Sequence, residues 1–91
     1  VYIRGDSLVD AGIEDGDIAV FRIAEVAREG DLVFACVNGL CTLKIYRDTP
    51  AGIILDPANK NYQAIEVGPD DNLSIRGILM NIIRKPRRQI K

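Results

Sequence analysis

The sequence predicts a mostly-β fold, a compact single domain of short, highly bent strands forming small packed sheets. Three observations carry that expectation. Short apolar, β-branched runs recur along the chain, each closed by a cluster of Gly, Pro, Asn or Asp. Helical periodicity is almost absent. The chain has 91 residues, no internal repeat and no low-complexity tract, so one domain spans 1–91. A domain this small buries only about 60–65% of its unfolded surface, so its core is modest and a partner chain would help.

The elements follow in order. Gly5 permits a tight turn, and residues 8–13 then fit a short helical turn after Ser7. Glu14-Asp15-Gly16-Asp17 is turn chemistry, and Ile18–Arg22 is a strand without clean alternation, as expected of a well-buried one. Residues 24–31 connect. Leu32–Val37 and Leu40–Tyr46 are strands around Asn38-Gly39, the strongest two-residue hairpin signal. Thr49-Pro50-Ala51-Gly52 turns again before the short strand Ile53-Ile54-Leu55. Asp56–Asn61 is loop throughout. Gln63–Val67 is a strand, and Gly68–Asn72 a loop. Leu73–Arg84 is a long β-rich stretch in which Gly77 marks a bulge or bend.

Hydrophobic content of 47% and charged content of 27% are those of an ordinary globular protein. No apolar run approaches the roughly 18 residues of a membrane span, and no signal peptide is visible. A chain that begins at Val1 is expected to have lost an upstream segment. The net charge of −1 conceals an asymmetry: residues 1–83 sum to −6, whereas Arg84, Lys85, Arg87, Arg88 and Lys91 give a basic tail of +5. Such a tail is either a solvated, frayed terminus or a contact for an acidic partner or nucleic acid. The acidic body argues against DNA reading by this piece alone.

Cys36 and Cys41 flank the Asn38-Gly39 turn and fall opposite each other in the hairpin register. A cross-strand disulfide is conceivable there. Free thiols are the expectation, since nothing else points to secretion. Two cysteines without a histidine do not suggest zinc, and no cofactor is implied.

The absence of histidine has a chemical consequence. A serine nucleophile needs a base, and here that base cannot be imidazole. Pairing Val37 with Leu40 puts Lys44 on one face with Val33, Ala35, Val37 and Thr42. Desolvation among such neighbours disfavours an ammonium, so Lys44 is a candidate base for Ser7. Taken singly, each residue has an ordinary alternative: strand lysines snorkel to water, Ser7 suits a helix N-cap, and Thr42 is simply a good strand former. A helical turn after Ser7 would also present backbone N–H groups for an oxyanion.

The joint pattern resembles the LexA/UmuD family of self-cleaving proteins. Gly5-Asp6-Ser7-Leu8 through Gly12-Ile13 and Asp15-Gly16-Asp17 is similar to that family's nucleophile segment, with Leu8 where Met is commoner. Gly30-Asp31-Leu32-Val33 and Ala35, then Thr42-Leu43-Lys44, resemble its lysine hairpin, and the Ser-to-Lys spacing of 37 fits. Leu55-Asp56-Pro57-Ala58-Asn59 with Tyr62 resembles its Leu-x-Pro-x-Asn loop, and Ile75-Arg76-Gly77 with Ile82-Ile83-Arg84 its final strands.

The resemblance implies a LexA/signal-peptidase-like fold acting as a self-cleaving peptidase and dimerisation domain. Ser7 would be the nucleophile, Lys44 the general base, Asp6 and Ser7 the oxyanion N–H donors, and Thr42 the support for Lys44. The scissile bond and any DNA-binding helix-turn-helix would lie upstream of Val1. Implied partners are a second copy, paired through the C-terminal stretch, and a RecA–single-stranded-DNA filament as co-protease. The setting would be the cytoplasm of a bacterium, or a phage-encoded protein. Three functions remain open: the peptidase domain of a LexA-like SOS or phage-type repressor, a UmuD-like accessory subunit of a translesion polymerase, and, least favoured, a signal-peptidase relative. The last lacks the Pro-Thr expected after the serine.

Overall fold

The computed structural model describes residues 1–84. Six strands, β1 (Ile18–Ile23), β2 (Leu32–Val37), β3 (Leu40–Thr49), β4 (Gly52–Asp56), β5 (Ile65–Val67) and β6 (Leu73–Ile83), form one antiparallel sheet in the order β1-β6-β2-β3-β4-β5. A single 3₁₀ turn, Val9–Ala11, precedes them. The mostly-β expectation holds, but the small sheets merge into one. The reason is β6, which is long enough to pair with β1 through its second half and with β2 through its first.

The hairpin register is as expected: Val37 pairs with Leu40, Ala35 with Thr42 and Val33 with Lys44. Asn38 (φ 52°) and Gly39 (φ 86°) supply the two left-handed residues that such a turn requires. The free-thiol expectation is overturned, because Cys36 and Cys41 are joined by a disulfide, with Cα atoms 3.8 Å apart. One pair beyond a two-residue turn, facing side chains lie closest, so the cysteines meet there without bending the strands apart.

Register shifts bend β6 twice. One falls opposite Phe34/Ala35, where pairing passes from Gly77 to Ile75, and the other opposite Val20/Phe21, where it passes from Leu79 to Asn81. Gly77 permits a close approach there: a Cβ would sit 3.0 Å from the Arg22 carbonyl oxygen and 3.2 Å from Phe21 Cβ.

Apolar side chains pack on both faces of the sheet. Ile3, Leu8, Ile13 and Ala19 form one cluster, with Phe21, Leu32, Leu43, Leu79 and Ile82 against it. Val33, Ala35 and Leu55 form the other, covered by Tyr46, Ile65, Ile75 and Ile78 among others. In β2 and β3 the two clusters use alternate residues, as a pleated strand packed on both sides demands.

Three further expectations need correction. β1 is not well buried: it is an edge strand in which only Ala19 is buried and Ile23 is 90% exposed. The strand read as Gln63–Val67 is only Ile65–Val67. Arg84 does not belong to a solvated tail. Its guanidinium donates to Asp17 Oδ1 (2.9 Å), Asp17 Oδ2 (2.8 Å) and the Gly12 carbonyl (2.7 Å), because Asp17 is buried and needs a countercharge. The remaining basic tail residues, Lys85, Arg87, Arg88 and Lys91, lie outside the described residues.

Candidate functional site: a serine-lysine cleft

The segment carrying Ser7 is pinned from several sides. Leu8 and Ile13 are buried in the first core cluster and bracket the 3₁₀ turn, which closes with Gly12 N–H donating to Val9 O (3.0 Å). Gly5 takes φ 84°, and its N–H donates to Asp15 Oδ1 (2.7 Å). Asp17 Oδ2 accepts from Glu14 N–H (2.8 Å), and Ile3 N–H donates to Asp17 O (2.8 Å). The Asp15-Gly16-Asp17 turn thus cradles the serine loop from below, with Arg84 locking the turn from the C-terminal end.

A second loop reaches the same segment from across the fold. Asn59, buried, donates its side-chain amide to the Asp6 carbonyl (2.8 Å). Asp10 N–H donates to Ala58 O (2.7 Å), and the Tyr62 hydroxyl donates to Asp6 Oδ1. That hydrogen bond to a carboxylate pushes the Tyr62 phenol above its ordinary range, so Tyr62 stays a donor.

Lys44 approaches from β3. Its ammonium donates to Thr42 Oγ1 (2.7 Å) and to the Leu43 carbonyl (3.1 Å). Val33, paired directly with it, and Ala35, paired with Thr42, are fully buried. Burial holds the Lys44 amine below the ordinary lysine range.

Ser7, Asp6, Thr42 and Lys44 all line one open cleft of about 320 Å³, together with Ile3, Arg4, Gly5, Leu8, Leu43 and Tyr62. The four residues singled out from sequence are therefore brought together. Asn59, Tyr62, Asp15, Asp17 and Arg84 were given no role in the site from sequence, although all five sit in the motifs that carried the resemblance. Among the described residues no group of three or more His, Cys, Asp or Glu side chains is placed to hold a metal ion, and no helix is long and apolar enough to cross a membrane.

The class these features define is a small β domain of the LexA-like peptidase type. A model of the family described as "Peptidase S24-like" matches residues 1–80, and the chain belongs to that family. It is 43% identical over 84 residues to a LexA repressor of Alcanivorax borkumensis, a match covering 92% of this chain and 41% of that protein. It is 42% identical over 83 residues to a LexA repressor of Cereibacter sphaeroides, covering 90% of this chain and 36% of that protein. The chain thus spans only about two fifths of the length of these curated relatives.

Proposed function

We propose that this chain is the self-cleaving serine-lysine peptidase domain of a LexA-like repressor, acting on a peptide bond in its own upstream linker. The observation that carries the reading is the shared cleft: Ser7 and a half-buried Lys44 of lowered pKa line it together, in a chain with no histidine. The similarity to two LexA repressors favours a repressor over a polymerase accessory subunit.

In this mechanism neutral Lys44 takes the proton of Ser7 Oγ as the oxygen attacks the scissile carbonyl carbon. The N–H groups of Asp6 and Ser7 hold the resulting oxyanion. Lys44 then returns the proton to the leaving amine as the C–N bond breaks, which leaves an acyl ester on Ser7. Water, deprotonated by Lys44, attacks the ester and restores the serine hydroxyl. Thr42 Oγ1 orients Lys44. The reaction needs no cofactor. By the same resemblance, a RecA–DNA filament promotes the cleavage in a bacterial cytoplasm, DNA is bound only by a separate upstream domain, and two copies pair through the C-terminal stretch, β6.

The deciding experiment is self-cleavage of the full-length protein carrying Ser7→Ala or Lys44→Ala. Loss of cleavage in both folded variants is expected, and normal cleavage in either would end the dyad reading.

A further inference from the structure

Asp6 is gripped twice by the loop between β4 and β5, and the two grips have a directional consequence. Asn59 Nδ2 donates to the Asp6 carbonyl oxygen at 2.8 Å, beside a longer bond from Val9 N–H at 3.2 Å. The Asn59 side chain cannot swivel freely, because its Oδ1 accepts from Asn61 N–H at 2.9 Å and the residue is only 6% exposed. With one end of the amide fixed as acceptor, the other end must be the donor. The Asp6 carbonyl and the Ser7 N–H belong to one planar, trans peptide unit, so they point in opposite directions. Holding the carbonyl toward Asn59 therefore aims the Ser7 N–H away from it. Tyr62 fixes the same residue through its carboxylate, and Tyr62 N–H donates back to Asn59 O at 3.1 Å, which ties the two grips together.

We infer that Asn59, assisted by Tyr62, is a positioning residue that sets the direction of the Ser7 amide as an oxyanion donor. The inference rests on the serine-lysine reading above. It separates two jobs within one cleft: Thr42 holds the base, and Asn59 holds the peptide that binds the developing charge. Neither Asn59 nor Tyr62 takes a proton in the reaction, so their removal should lower the rate without moving its pH dependence.

The test is first-order self-cleavage of the full-length protein across pH, at a temperature where melting curves show each variant folded. Asn59→Ala should lose roughly 10- to 100-fold in rate at every pH, less than the 10²–10³ of an oxyanion donor removed outright, because the N–H remains but is poorly aimed. Tyr62→Phe, which keeps the buried amide, should lose roughly two- to fivefold. The midpoint of the pH profile should stay where the parent has it in both. A general loosening of the fold would instead disturb Lys44 burial and move that midpoint. An Asn59→Ala rate within about twofold of the parent, or a shifted midpoint with an unchanged plateau, overturns the inference. Should Asn59→Ala not melt cooperatively, Tyr62→Phe decides, and a parental rate overturns it. Ser7→Ala run in parallel separates the two levels. If it still cleaves, the dyad reading fails and this inference with it. If it is inert while Asn59→Ala cleaves at the parental rate, only this inference fails.

Discussion

Lys44 illustrates how one side chain acquires two incompatible demands. Its ammonium is bonded to Thr42 Oγ1 and the Leu43 carbonyl, which favour the charged form, yet burial outweighs them and lowers the pKa. A base of lowered pKa becomes competent as pH rises through that pKa, so the self-cleavage rate should climb with pH and then level off. A rate that stays flat from about pH 6 to 10 would contradict Lys44 as the base. Lys44→Arg should cut the rate at least about a thousandfold, as Ser7→Ala should, because a guanidinium stays charged. Quantifying the cleaved fragments over time decides both. At this scale the sequence was informative where spacing sufficed: the Asn38-Gly39 turn fixes the register that puts Thr42 and Lys44 on one face. It marked Asn59 and Tyr62 as motif residues but gave them no role, because their contacts with Asp6 span 53 and 56 residues and depend on how the β4–β5 loop folds back.

Elements behave as their ends and bends dictate. Gly77 was legible as an interruption, but only the structure shows that a methyl group there would press on β1. Gly77→Ala should therefore cost about 1–3 kcal/mol by overpacking, read as a lowered urea midpoint, and unchanged stability would mean that β1 gives way freely. The Asp17–Arg84 contact joins the turn before β1 to the end of β6 across 67 residues, a separation no local pattern reveals. Its guanidinium holds the Asp17 carboxyl below the ordinary value of 3.8. A depressed folded-state pKa stabilises the fold above the unfolded value, and that contribution disappears as pH falls through the folded one. Acid should thus destabilise the parent increasingly below about pH 3.8. Arg84→Ala should lower the melting temperature near neutral pH and narrow its gap to the parent in acid. A gap that stays constant down to pH 2 would refute the linkage. The disulfide was misjudged because compartment was weighed above geometry, although the register already placed the two cysteines face to face.

Across the whole molecule, several of the uncovered apolar side chains fall on two neighbouring strands. Val20 and Ile23 on β1 and Met80 and Ile83 on β6 are 41%, 90%, 61% and 50% exposed. The sequence was right that Leu73–Ile83 carries more apolar surface than so small a domain can bury. It did not show that β6 lies inside the sheet, paired with β1 over Gly77–Ile83 and with β2 over Leu73–Ile78. The proposed two-fold dimer uses side chains of β6 and β1, so that each copy covers the other's Met80 and Ile83. Placing a charge in that patch would bury it unpaired in the dimer and leave it solvated in the monomer, so the substitution acts on association and not on folding. Met80→Asp should raise the dissociation constant roughly 10- to 100-fold, with the melting curve of the dilute protein unchanged. Sedimentation over a dilution series measures both species. A parent that sediments as a monomer at tens of micromolar, or a Met80→Asp variant that dimerises as the parent does, would remove this surface as the site of pairing.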